Sequence, residues 1–330
     1  MKRAALPLPS HRSGSHLTSR PGKILSALLA LPLLTSGTLF AAPPEAVLAD
    51  DAWGSYVSRG ADWWFAEATA DDGGASLTLT RGTGNDITPL PAPTLEGGMA
   101  LQPTPLVAEG GLEGMVWLEG ASHDTLAVRA SAWSGNGWSA PLTVAPAGDG
   151  SQVALQAGVL DNGEWLAVWA AHDGKDDEIV WSRFDGTAWS APSPVTQNAV
   201  PDVTPSLRTL PSGGALVVWS GYDGNDYRLH AARFDGDGWG EAQRFGGKGS
   251  VIPAFARTDE RLVVHRQVIP RGWVITELDD RGLPVRSATV DANMTVRPKV
   301  LETGNEGLRV AWPGSGERSS AVELPWQTSQ

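Results

Sequence analysis

The sequence predicts an all-β chain folded as a six-bladed β-propeller with four-stranded antiparallel blades. Three observations carry that expectation. Segments of one pattern recur at a period of about 50 residues, across 112–141, 164–192 and 215–242. Within each, short apolar runs alternate with Gly, Asp and Asn turn chemistry, and no stretch keeps helical periodicity for three turns. Two tryptophan families hold the register: Trp117, Trp169 and Trp219 are 52 and 50 residues apart, and Trp138, Trp189 and Trp239 are 51 and 50 apart. Four strands in a period near 50 is the signature of a propeller blade.

Blade three sets the template: strands over 153–157, 165–170 and 178–184, then a short fourth strand led by Trp189. Blade four repeats it over 205–210, 215–220, 228–234 and 239–245. Weaker copies extend the pattern once tryptophan is not required at every anchor. The segments 261–265 and 307–312 take second-strand positions, with His265 46 residues after Trp219 and Trp312 47 residues after His265, and Trp64 precedes Trp117 by 53. That gives six repeats of about 45–53 residues within one domain over 42–330. For ring closure, Trp53 resembles the start of a fourth strand completing the last blade. The alternative makes 53–59 the first strand of blade one, with 322–326 closing the ring unaided.

Residues 1–41 contain no Asp or Glu, carry Lys2, Arg3, Arg12, Arg20 and Lys23, and run apolar from Ile24 to Leu34. This pattern predicts a signal peptide ending at Ala41, and hence an exported protein, periplasmic or secreted, with no membrane span after processing. Removing five positive charges takes the net charge from −12 to −17, leaving 20 Lys and Arg against 37 Asp and Glu. So acidic a chain is not expected to bind nucleic acid or anionic membrane. With no cysteine, stability must come from burial, for which 15 tryptophans provide bulky anchors.

The phrase Arg183-Phe-Asp185-Gly186 before Trp189 returns as Arg233-Phe-Asp235-Gly236 before Trp239, and blade two substitutes Ser134-Gly-Asn-Gly before Trp138. Asp accepts local backbone hydrogen bonds and Gly supplies positive φ, so these are turns between third and fourth strands. They resemble the Asp-box of sialidase-like β-propellers, Ser-x-Asp-x-Gly-x-Thr-Trp, with the difference that Asp and Gly are adjacent here. In that family the box is a structural turn remote from catalysis. The resemblance also implies an arginine cluster, a late tyrosine nucleophile paired with Glu, and an early Asp acid/base. The catalytic set is not matched, because the only tyrosines are Tyr56, Tyr222 and Tyr227.

A second repeat follows the second strands: His172-Asp173-Gly174-Lys175-Asp176 in blade three and Tyr222-Asp223-Gly224-Asn225-Asp226-Tyr227 in blade four. Each first Asp lies four residues after its anchor tryptophan and each second Asp seven. Asp-Gly-x-Asp is ordinary hairpin chemistry. On the loop face of a propeller, the same carboxylates and rings are candidates to bind sugar hydroxyls or a hard cation such as calcium. The candidate ligand-binding residues are therefore Asp173, Asp176, Tyr222, Asp223, Asp226 and Tyr227, joined by Arg208, Arg257 and Arg297 in or beside first strands. No metal site is assigned, since the spacing lacks the full ligand run and terminal Glu of a helix-loop-helix calcium loop. His123, His172, His230 and His265 show no metal-ligand spacing. No cofactor is expected. The expectation for function is a monomeric, non-catalytic binding module for a glycan or protein partner. The alternatives are a sialidase-like or other glycoside hydrolase and a cell-envelope assembly scaffold.

Overall fold

The computed structural model describes residues 54–71, 74–83, 86–148, 150–256, 261–268, 272–290, 297–311 and 321–328. Every regular element among them is a strand. Blade one is β1 (Gly54–Arg59), β2 (Asp62–Asp71), β3 (Gly74–Thr83) and β4 (Asp86–Leu90); blade two is β5 (Met99–Ala108), β6 (Gly111–Gly120), β7 (Ala127–Ala132) and β8 (Leu142–Ala145). Blade three is β9 (Gln152–Val159), β10 (Trp165–His172), β11 (Asp177–Phe184) and β12 (Ser193–Pro194). Blade four is β13 (Asp202–Thr209), β14 (Ala215–Tyr222), β15 (Tyr227–Phe234) and β16 (Gln243–Phe245). Blade five is β17 (Ser250–Phe255), β18 (Leu262–Val268), β19 (Trp273–Leu278) and β20 (Pro284–Val290), and blade six begins with β21 (Lys299–Thr303), β22 (Gly307–Ala311) and β23 (Val322–Pro325). This is the six-bladed propeller that the repeats predict.

The second strands explain why the sequence there is continuously apolar rather than alternating. In β10, Trp165, Ala167 and Trp169 pack into the core shared with blade two, while Val168 and Ala170 enter the core shared with blade four. Successive side chains point to opposite faces, and both faces are covered by neighbouring blades, so the whole run is buried. Trp117, Trp169 and Trp219 are at most 1% exposed. The second tryptophan family fills the inter-blade seams: Trp189 packs edge-on against Trp165 at 6.2 Å, and Trp239 against Trp181 of the preceding blade at 6.3 Å.

The inner strands are fastened to one another by polar contacts. Leu155 N–H donates to Gln102 Oε1 at 2.8 Å, and Phe255 N–H to Ser206 Oγ at 3.1 Å. Each of β5, β9, β13 and β17 carries a residue at left-handed φ in this region: Gln102 at 51°, Ala154 at 55°, Thr204 at 53° and Ile252 at 52°. In each of these strands the pairing register shifts across that residue, as a bulge requires. Thr204 and Ile252 are β-branched, for which this conformation is strained.

Closure differs from the favoured expectation in two respects. Gly54–Arg59 pairs with β2 as the first strand of blade one, in continuous register from Gly54↔Glu67 to Arg59↔Asp62, instead of completing blade six. Blade six has three strands among the described residues, and β24 (Gln327–Thr328) adds to the outer edge of blade five by pairing with Arg286 and Ser287. The proposed signal peptide, Trp53, Arg257 and Trp312 lie outside the described residues.

Candidate functional site

In an antiparallel blade the loop between strands two and three shares its end with the connection to the next blade, and the turn between strands three and four lies at the opposite end. The two repeated motifs therefore occupy opposite faces. At the Asp-Gly turns, Asp185 Oδ1 accepts from Thr187 N–H at 2.8 Å and Ala188 N–H at 2.9 Å, with Gly186 at φ 92°. Asp235 does the same for Asp237 and Gly238. Arg183 and Arg233 reach across to carbonyls of the next blade's turn, Gly236 O and Asp280 O. These residues are structural, as the resemblance implies.

On the other face, Asp173 and Asp223 cap their hairpins identically. Asp173 Oδ1 accepts from Lys175 N–H at 2.9 Å and Asp176 N–H at 3.3 Å, and Asp223 Oδ1 from Asn225 N–H at 3.0 Å and Asp226 N–H at 2.8 Å. Those bonds favour the ionised form and hold both carboxyls below the usual range. Asp173 and Asp223 thus sit in separate, solvated turns. Asp226 Oδ1 serves Tyr227 N–H and Gly249 N–H, and the Tyr222 and Tyr227 rings meet at 5.3 Å as a cross-strand pair. These four blade-four candidates hold the hairpin together.

Blade three departs from blade four at one position. Nine residues after the anchor tryptophan, blade four has Arg228, whose Nε lies 3.3 Å from Asp223 Oδ2. Blade three has Glu178 there, 3% exposed. Carboxylate oxygens of Asp173, Asp176 and Glu178 all come within 4.8 Å of one another. Glu178 Oε1 accepts from Asn198 N–H at 2.6 Å, while Glu178 Oε2 and Asp176 Oδ1 are buried without a hydrogen-bond partner among the described residues. Burial pushes the Glu178 carboxyl up, opposed by its bond from Asn198 and by the nearby Thr196 hydroxyl, and reinforced by Asp202 and Asp176. The same hydroxyl approaches Asp202, and its single proton cannot satisfy both acids.

Asp202 belongs to a second, cross-strand constellation. Its Oδ1 accepts the Trp219 indole N–H at 2.8 Å and its Oδ2 the Asn198 amide at 2.6 Å, yet burial still raises its pKa. In blade three the corresponding bond runs from Trp169 Nε1 to neutral Gln152 Oε1 at 2.6 Å, and in blade two from Trp117 Nε1 to Glu119 Oε2 at 2.7 Å. Glu178, Asp202, Gln152 and Glu119 were not singled out from sequence. For Glu178 a signal existed, the charge reversal against Arg228 when the blades are aligned on tryptophan.

Beside the acids lies an open pocket of about 400 Å³. His172, Asp173, Glu178 and Gln197 are among its polar lining residues, and Pro192 and Pro194 among its apolar ones. Of the arginine candidates, Arg208 is half-buried in β13 opposite Leu216. Arg297 stacks over Trp273 at 5.8 Å and sits near His265, so the two serve different blades. His265 is 4% exposed, and burial with the Arg297 charge lowers its pKa to about 3, so it packs as a neutral ring where other blades have tryptophan. Among the described residues no helix is long and apolar enough to cross a membrane.

Fold and site define a six-bladed β-propeller with Asp-Gly turns on one face and an acidic hairpin beside a pocket on the other. No family model and no curated protein matches the chain. Among solved structures, a protein described as of unknown function from Dyadobacter fermentans DSM 18053 is similar at a TM-score of 0.54 and 14% identity, over 84% of this chain and 94% of that one. SapL1 lectin in complex with alpha methyl fucoside gives 0.49 and 15%, covering 86% and 97%. The neuraminidase-like N11 protein of A/flat-faced bat/Peru/033/2010 gives 0.44 and 11%, covering 81% and 84%. The likeness to the Dyadobacter protein bears on the fold alone.

Proposed function

We propose that this chain is an exported, non-catalytic propeller that binds a glycan at the blade-three pocket. The observation that carries the reading is the composition of that pocket: hydrogen-bonding His172, Asp173 and Gln197 and apolar Pro192 and Pro194 all line its volume of about 400 Å³. Sugars present hydroxyls at their edges and C–H patches on their faces, so a site with both kinds of lining matches their chemistry. Export is supported by the basic, acid-free start of the sequence and the apolar run after it.

One observation favours a second reading, a glycoside hydrolase. Asp173 and Glu178 carboxyls approach within 4.8 Å while their pKa values are displaced in opposite directions, as an acid and a base require. Against it, both belong to one hairpin, and Asp173 Oδ1 is committed to its turn. A glycan array followed by a reducing-sugar assay on each hit separates the readings. Binding that is lost in Gln197→Ala and releases no sugar supports the module. Turnover abolished by Glu178→Gln replaces it with the hydrolase, and an array without hits defeats both in favour of a protein partner.

A further inference from the structure

We propose that Asp173, Asp176 and Glu178 form a calcium site on the blade-three hairpin. The inference goes beyond glycan binding and does not depend on it. Two oxygens that each ligate Ca²⁺ at about 2.4 Å can be at most about 4.8 Å apart. The three carboxylates lie within that limit of one another. Acidic clusters alone are common on surfaces, and here two further observations single this one out. Glu178 is nearly fully buried, and its Oε2, like Asp176 Oδ1, has no hydrogen-bond partner among the described residues. A buried carboxylate oxygen left so carries a desolvation cost that a bound cation removes.

The second observation is internal to the chain. Blade four builds the same hairpin, with Asp223 and Asp226 in the places of Asp173 and Asp176, but supplies its own cation. Arg228 stands where Glu178 stands and pairs with Asp223, and Asp226 Oδ1 is taken up by two backbone N–H groups. In blade three that covalent positive charge is replaced by a third negative one. The basic side chains near Asp173 are Lys175 and His172. Lys175 acts on Asp173 through its charge and makes no ion pair with the cluster among the described residues, and His172 Nδ1 lies 3.3 Å from Asp177. All-oxygen donors of this charge suit a hard divalent cation, and the loop's own carbonyls and water can complete the six to eight ligands that Ca²⁺ takes.

The test titrates CaCl₂ calorimetrically into full-length protein stripped with chelator, with thermal melts in Ca²⁺ and in chelator. The proposal expects one ion per chain and a melting point that climbs with the logarithm of Ca²⁺ concentration. Glu178→Gln weakens binding at least tenfold. Glu178→Arg abolishes it and melts in chelator at or above the wild type, because it rebuilds blade four's ion pair. Asp223→Asn in blade four leaves binding unchanged. Should Glu178→Arg fail to fold by circular dichroism, Asp176→Asn, half-buried at the hairpin, takes its place as the loss-of-binding variant. No binding heat with folded wild type, binding retained in Glu178→Gln and Asp176→Asn, or binding lost in Asp223→Asn overturns the proposal.

Discussion

The matched tryptophans of blades three and four allow one bond to be weighed with its surroundings held nearly constant. Trp169 and Trp219 are 0% and 1% exposed, occupy the same register position, and donate through Nε1 at 2.6 and 2.8 Å. The acceptors differ, the neutral amide of Gln152 against the carboxylate of Asp202, and so do the cross-strand partners, Val180 beside Trp169 and the His230 ring stacked on Trp219 at 5.5 Å. Replacing either with Phe deletes half an indole and leaves a cavity worth roughly 1–2 kcal/mol, a contribution that cancels between the two. The lost hydrogen bond costs about 1 kcal/mol where the acceptor is neutral and about 2 where it is charged. Trp219→Phe is therefore expected to destabilise by about 1 kcal/mol more than Trp169→Phe, which separates their melting points by roughly 2–4 °C. Because burial raises the Asp202 pKa, the gap must narrow as pH falls and Asp202 is neutralised. Equal losses at neutral pH, or a gap that persists unchanged in acid, would refute the argument that acceptor charge sets the difference.

Three further outcomes follow from the same structure. His265 has its folded pKa depressed to about 3 from an ordinary 6.5, so the unfolded chain binds the extra proton between those values and its share of stability is lost as pH falls through that window. Glu178 and Asp202, with raised pKa values, act in the opposite sense. Replacing His265 with Phe should remove up to about 1.4 kcal/mol per pH unit from the acid slope of urea-unfolding stability, and an unchanged slope counts against a neutral buried ring. Gly214→Ala places a Cβ 2.0 Å from Phe234 O at φ 78°, whereas Gly186→Ala meets open space at φ 92°. The first should cost well over 2 kcal/mol and the second about 1, read from paired thermal melts. Ile252 holds φ 52° while 42% exposed, so Ile252→Gly should relieve about 1 kcal/mol of strain and raise the melting point; a drop of several degrees would mean its side chain packs more than its exposure indicates.

Much of the fold was legible because propeller blades repeat. Trp117, Trp169 and Trp219 mark the second strands, and the observed β10, Trp165–His172, contains the predicted 165–170 with two residues added. Blade ends were harder, since fourth strands are short: β12 is Ser193–Pro194, while Trp189 makes only an isolated bridge to Phe184. Closure was misjudged because Trp53-Gly54 copies the Trp239-Gly240 pair locally, and local likeness cannot report which neighbour a strand will meet. At the site, Asp173 and Asp176 were readable from their spacing. Glu178 was passed over as a strand residue, because its consequence lies in what surrounds it.

The sequence alone determined the blade count, the positions of the anchor tryptophans, the two turn families and the absence of a late tyrosine, since each is written in local pattern and period. Only the tertiary structure decided what those residues face. It buried Glu178 against two aspartates, and set Asp202 under a tryptophan 17 residues away in sequence. It also paired the C-terminal strand with blade five. Those outcomes depend on distance and desolvation across strands, quantities that periodicity along the chain does not carry.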